Sequence, residues 1–422
     1  MLIRRCAGLA VATLLLGLLP PLSADAAHAA APGDWLLRFA ADFVKGGEVN
    51  RGEDVKIALL SDGVDPGVRT LKGALEKGRD FVGTPRPKRE MGTLMASLIV
   101  GSGPTADAPL GVRGLASGAT LLPVRVYATP DEPGGRDWLE KNGNGWGKAI
   151  GRGIRYAADQ GAEVIAVEAV HFAWNSTDDQ PEYLLAAVAH AQRKDAVIVA
   201  VNATSGAPRG VRPGDPVFPA AAPGVIGVGA ATAKGRRDKK HTVKSSAVLL
   251  SAPGIKIPST GPDGRLWTYW GGPAAMSWVT AAAAMVRSEY PKLTAAQVTQ
   301  ALTTSARHPD GKGRYDTDLG YGYLNAKGAL DAAGKLSELP VPPVVAKAVV
   351  KDGAHFGEPR GTVRAVPYNP FILGGFGALT LAGLAAILLA VWMAVRRRRY
   401  LAGPAVAEPE TLAPESSGAD SP

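Results

Sequence analysis

One cysteine, Cys6, occurs in 422 residues, and a lone thiol builds neither a disulfide scaffold nor a thiolate metal cage. Aromatic residues are scarce at 6%, and charged residues make up only 20% against 46% apolar. That balance excludes a wholly disordered chain. The same balance does not fit a polytopic membrane protein. The 52 glycines and 33 prolines follow no fixed short period, so they mark turns and not a collagen-like rod. What remains is a folded chain, long enough for two or three domains or for one large α/β domain with appendages.

The two apolar ends set an expected topology. Residues 1–30 open with Arg4 and Arg5, continue through an apolar run from Leu9 to Leu19, and finish in small residues around Ala27 and Ala29. This pattern is that of a secretory signal, with Cys6 inside the part that is removed. Residues 371–395 hold no charge and are followed at once by Arg396, Arg397, Arg398 and Arg399. Twenty-five such residues are enough to cross a hydrocarbon core, and the arginines place the following segment in the cytoplasm. The tail to Pro422 carries Glu408, Glu410, Glu415 and Asp420 without a basic residue, so residues 396–422 read as a basic cluster and a disordered tail. Of the formal charge of +9, residues 1–30 carry +1, the four arginines +4 and the tail −4, which leaves +8 on residues 31–370. The basic balance thus belongs to the part expected outside, where lipid headgroups or wall polymers are the natural counter-charges and nucleic acid is not. Its densest cluster is Lys234, Arg236, Arg237, Lys239, Lys240 and Lys244, expected on a solvated loop between two strands.

Between the ends, Val/Ile/Leu-rich runs recur at 56–60, 119–127, 162–169, 196–203, 225–231 and 247–252, as buried strands of a parallel sheet do. Helical patterns fall at 92–100, 147–159 and 181–194, and three more at 274–289, 294–306 and 325–336. Strands alternating with helices predict a single α/β domain over 31–336, with a central parallel sheet and helices on both faces. Residues 337–370, with six prolines and no lasting period, read as a linker to the membrane.

Six blocks then match, in order, the motifs of the subtilisin-like serine peptidases. The run from Asp54 through Ser61-Asp62-Gly63 to Pro66 resembles the first strand and turn. Met91-Gly-Thr resembles the start of the helix that opens with H-G-T. Phe218-Pro-Ala to Ala230, Leu250-Ser-Ala-Pro-Gly, the stretch Gly271 to Thr280 and Gly320-Tyr-Gly-Tyr-Leu-Asn-Ala resemble the rest. The layout of signal, peptidase-like domain, linker and C-terminal span is similar to that of the mycosins, a branch of the same family, and implies a place beside a type VII secretion machine. Mycosins carry an intact triad and usually disulfides, and this chain departs from both.

A Ser-His-Asp triad needs a hydroxyl to attack, an imidazole to take its proton and a carboxylate to hold the imidazole. At the family's acid position the chain has Ser61, at the base position Met91 and at the nucleophile position Pro273. The oxyanion asparagine aligns with Thr204, and a two-residue slip would offer Asn202. Val170 and His171 replace the glycines of the substrate-edge strand, which obstructs an added peptide strand. Pro273 instead suits the first turn of a helix, and Met91 and Trp278 add apolar volume to the cleft. The expectation is a membrane-anchored pseudo-peptidase with no catalytic residues, no cofactor and no metal, binding protein partners at the cell surface. The alternative is an active serine endopeptidase built from other residues.

Recruits for that alternative each have a plainer role. Asp62 and Asp65 flank a turn where Asp commonly bonds its own backbone, and Glu90 is expected in a surface ion pair. His171, His190, His241, His308 and His355 show no pairwise metal spacing, and Ser277 is expected to bond back to a helix carbonyl. Asn142 to Gly147, rich in glycine, reads as a turn.

Overall fold

A computed structural model of the chain describes residues 39–41, 43, 45–46, 48–106, 108–142, 147–168, 171–172, 180–202, 216–339 and 370–401. They fall into two separate units, the first ending at Pro340 and the second beginning at Val341.

In the first unit each apolar run becomes a strand: β1 (Lys56–Ser61), β3 (Thr120–Arg125), β4 (Val164–Val167), β6 (Val197–Val201), β8 (Val225–Ala231) and β9 (Val248–Pro253), joined at one edge by a two-residue β2 (Arg79–Asp80). They form one seven-stranded sheet in the order β2-β3-β1-β4-β6-β8-β9. Every pairing in it is parallel, so all strand carboxyl ends lie on one edge. Side chains alternate between two cores. Ile57 and Leu59 enter one, with Val164, Val199 and Val228. Ala58 and Leu60 enter the other, with Leu122, Ile165 and Ile198. A sheet buried on both faces explains why its strands read as unbroken apolar runs and not as alternating ones.

The helices are α1 (Glu90–Val100), α2 (Gly135–Asn142), α3 (Gly147–Asp159), α4 (Gln180–Arg193), α5 (Gly272–Glu289), α6 (Ala295–Thr304) and α7 (Ala326–Ser337). Helices α1, α5, α6 and α7 supply the first core, and α3 and α4 the second. The most enclosed is α5, with Gly272 to Arg287 all buried, which its small residues Ala281 to Ala284 permit. Helix α2 was not expected from the sequence. Nor were two small antiparallel pairs, β5 (His171–Phe172) with β7 (Val217–Phe218) and β10 (Ile257–Thr260) with β11 (Leu266–Tyr269). Strands of two to four residues leave too short a pattern to detect.

The second unit holds α8 (Pro370–Leu401), whose segment Gly374–Arg398 is long and apolar enough to cross a membrane. It contains most of the expected span 371–395.

Candidate functional site

Strand β1 delivers Ser61 and Asp62 to the carboxyl edge of the sheet, both buried. Ser61 Oγ accepts from Gly63 N–H at 3.1 Å. Asp62 was expected to bond its own turn, but its carboxylate caps the neighbouring helix instead. Its carboxylate accepts Met91 N–H at 3.1 Å and Gly92 N–H at 2.7 Å. Helix α1 needs this help because the residue before it, Arg89, is left-handed at φ 56° and offers no side-chain cap. A Cβ at Gly92 would stand 2.1 Å from Gly63 O and 2.2 Å from Ser61 Oγ. Glycine therefore lets the strand end and the helix start touch, which sets Ser61 against the first turn of α1. The Met91 side chain is half-buried and packs on the core.

Pro273 is buried in the first turn of α5, behind Gly271 at φ 92°, where a missing N–H costs no intrahelical bond. One turn on, Ser277 Oγ donates to Pro273 O at 3.0 Å and lies 3.2 Å from Tyr269 Oη, the back-bonded state expected of it. Trp278 is buried against Phe39 and Phe43, at 5.2 and 5.1 Å, so its volume serves an aromatic cluster of the core.

Thr204, Val170 and His355 lie outside the described residues, and of His171 only the backbone pairing with Phe218 is described. Asn202, offered by the slipped register, is buried and donates its amide to Val243 O at 2.7 Å. One of its two amide hydrogens is thus taken up within the protein.

At the same edge the structure assembles a charged group that the motifs do not predict. Glu168, following β4, is 5% exposed. Burial drives its carboxyl up to about 8, Tyr127 opposes by hydrogen bonding, and the Asp62 charge adds to the rise. Asp62 rises to about 6 through burial, against the pull of the Gly92, Met91 and Glu90 backbone and of Arg125. Among the described residues Glu168 Oε2 has no hydrogen-bond partner, as suits a carboxyl that stays protonated at neutral pH. Arg125, 3% exposed, reaches Asp62 O at 3.1 Å, Asp80 at 3.0 Å and Thr84 Oγ1 at 2.6 Å, and also pairs with buried Glu132. The one signal in the sequence is a charge at the end of three apolar strands: Asp62 just after β1, Arg125 at the end of β3 and Glu168 just after β4.

The remaining suspects are accounted for. Asp65 Oδ1 accepts Gly67 N–H at 2.8 Å in its own turn, and exposed Glu90 faces Lys88 at 3.9 Å. His190 bonds Asp159 at 2.8 Å near the surface. His241 is buried and its Nδ1 bonds Asp238. His308, Asp310 and Asp316 bring ligand-type atoms within 4.8 Å, a grouping missed because it mixes residue types. There the Asp310 N–H occupies His308 Nδ1 at 3.1 Å, which leaves Nε2–H to donate to Asp316 at 3.2 Å. No imidazole lone pair is then free for an ion.

The profile of the subtilase family matches residues 52–323. The chain belongs to the subtilase family. It is 30% identical over 397 residues to Mycosin-3 of Mycobacterium tuberculosis, covering 83% of this chain and 82% of that protein. Among solved structures, the MycP3 protease from the type VII (ESX-3) secretion system superposes with a TM-score of 0.58 at 28% identity, over 72% of this chain and 88% of that one. A chain of the periplasmic assembly from the ESX-5 inner membrane complex gives a TM-score of 0.58 at 25% identity, over 82% and 92%. This subtilase is therefore mycosin-like in fold and extent.

Proposed function

We propose that this subtilase is a pseudo-peptidase, a membrane-anchored extracytoplasmic domain that binds or scaffolds protein partners at a type VII-like secretion machine. The observation that carries the reading is the set Ser61, Met91 and Pro273 at the three triad positions. A thioether accepts no proton at neutral pH, and a proline offers no nucleophile. Burial supports it: Ser61 bonds its own turn, and Ser277 bonds its own helix. In this reading residues 1–30 are removed on export and residues 31–336 form the domain outside. Residues 337–370 are the linker, 371–395 cross the cell membrane, and 396–422 lie in the cytoplasm behind the four arginines. The partnership rests on the names of the relatives, which include parts of type VII complexes.

The test is a fluorophosphonate probe on the purified full chain, with an active subtilase as control. No labelling is expected, and stoichiometric labelling would overturn the reading. One observation favours the alternative, an active endopeptidase of unusual composition. The buried Asp238–His241 pair lies against Gly271, since a Cβ there would meet His241 Cβ at 3.2 Å. Labelling that His241→Ala abolishes would establish that alternative.

A further inference from the structure

The loop from Thr232 to Ala247 between β8 and β9 is pinned from within. Arg237 Nε meets Asp318 at 2.6 Å and its Nη1 donates to Thr242 O at 2.6 Å. Lys244 reaches the same Asp318 at 3.4 Å, and Asp238 holds His241. Thr242 Oγ1 accepts the N–H of Ala230 on β8 at 2.8 Å. These contacts use two of the six cations. The other four, Lys234, Arg236, Lys239 and Lys240, are exposed and have no ion-pair partner among the described residues. A loop that served only solubility would not need its backbone fixed by buried and bridging carboxylates.

Beside it stands the β10–β11 hairpin. Leu266, Thr268 and Trp270 alternate along one face, and Leu266 and Trp270 are 50% and 41% exposed. Pro258, paired with Thr268, is exposed with them. Trp270 adjoins Gly271, where an added Cβ would stand 3.2 Å from His241 Cβ, so the end of the hairpin lies against the pinned loop. The result is a pinned loop with four exposed cations, joined at His241 and Gly271 to an exposed stripe that ends in tryptophan. Cations with an indole at their edge suit a headgroup layer, where phosphates meet the charges and the ring sits at the boundary.

From this face we infer a docking surface for an anionic phospholipid bilayer, formed by Lys234, Arg236, Lys239, Lys240, Leu266 and Trp270. The inference rests on the reading of Gly374–Arg398 as a membrane span. Between the last described residue of the domain, Leu339, and the first of α8, Pro370, lie 30 residues. Even fully extended they reach no more than roughly 100 Å. A bilayer is thus always close, and weak attraction suffices to hold the face against it. The tether is what favours lipid over a diffusing acidic protein.

The test is hydrogen exchange on the full chain in nanodiscs, of phosphatidylcholine alone or with phosphatidylglycerol at about 30%, a fraction chosen to give a strongly negative surface potential. In anionic discs, amides of 232–247 and 257–270 are expected to exchange about fivefold more slowly or less, the effect of one surface cation in such a potential. High salt should remove the protection. Lys239→Glu with Lys240→Glu should also remove it, while leaving exchange in the sheet unchanged. Equal exchange in the two discs overturns the proposal. Protection in native membranes but in neither disc also overturns it, by assigning the face to a protein. A chain that does not co-elute with discs at all overturns the span reading and this proposal with it.

Discussion

Burial holds the Glu168 carboxyl protonated to about pH 8 and Asp62 to about pH 6. In an unfolded chain both ionise near their ordinary values of 4.5 and 3.8. The folded state therefore binds more protons than the unfolded one across these windows, and stability falls as pH rises through them. For Glu168 the contribution is full below about 4.5 and lost by about 8. Its size is on the order of a few kcal/mol for a shift of this extent. Asp62 and Tyr127 are the ionisable groups acting on it, and Arg125 acts on Asp62. Glu168→Gln, which keeps the shape and removes the titration, should flatten the fall of the unfolding temperature between pH 6 and 8. Calorimetry across that range would show it, and an unchanged slope would mean that Glu168 is ionised in the fold. At Gly92 a different force decides. Alanine there would press on Gly63 O from 2.1 Å, and backbone cannot give way as a side chain can. The expected loss is about 2–4 kcal/mol in denaturant unfolding.

Helix α1 depends on a residue outside itself. Asp62 fills two N–H groups at the helix start that Arg89 leaves open, so Asp62→Ala removes a cap and strands two donors, one buried and one part-buried. A cost of about 1–3 kcal/mol is expected. Helix α6 caps itself. Thr294 and Gln297 form a reciprocal box, with Gln297 N–H to Thr294 Oγ1 at 3.3 Å and Thr294 N–H to Gln297 Oε1 at 2.9 Å. Thr294→Ala should cost about 1 kcal/mol, and unlike Asp62→Ala it should leave the pH dependence unaltered. That contrast separates a cap from a buried titrating group. Most elements could be read from their patterns. Every long strand sits where an apolar run predicts it, and α3 spans 147–159 as expected. The pairs β5–β7 and β10–β11 escaped because their residues are too few to show a period. Ser277 was read correctly since its partner is one helical turn away. Asp62 was misread because its partners are 29 and 30 residues distant.

At the scale of the whole molecule, the domain that ends near Leu339 owns both cores, and α8 contributes to neither. Ending the chain after Leu339 should therefore free the domain from membranes without lowering its unfolding temperature. Ultracentrifugation of fractionated cells and a melting curve check both outcomes, and sedimentation of the truncated form with membranes in high salt would contradict the first. The order of strands and helices, the apolar span and the residue types at positions 61, 91 and 273 were determined by sequence alone. Each is a property of neighbouring residues or of identity at one place. The tertiary structure decided which charges share a buried environment. Asp62, Tyr127, Arg125 and Glu168 come from three strand ends, and only the parallel sheet brings those ends to one edge. A carboxyl's affinity for its proton depends on the water it loses and the charges it meets there, and no local pattern of residues carries that information.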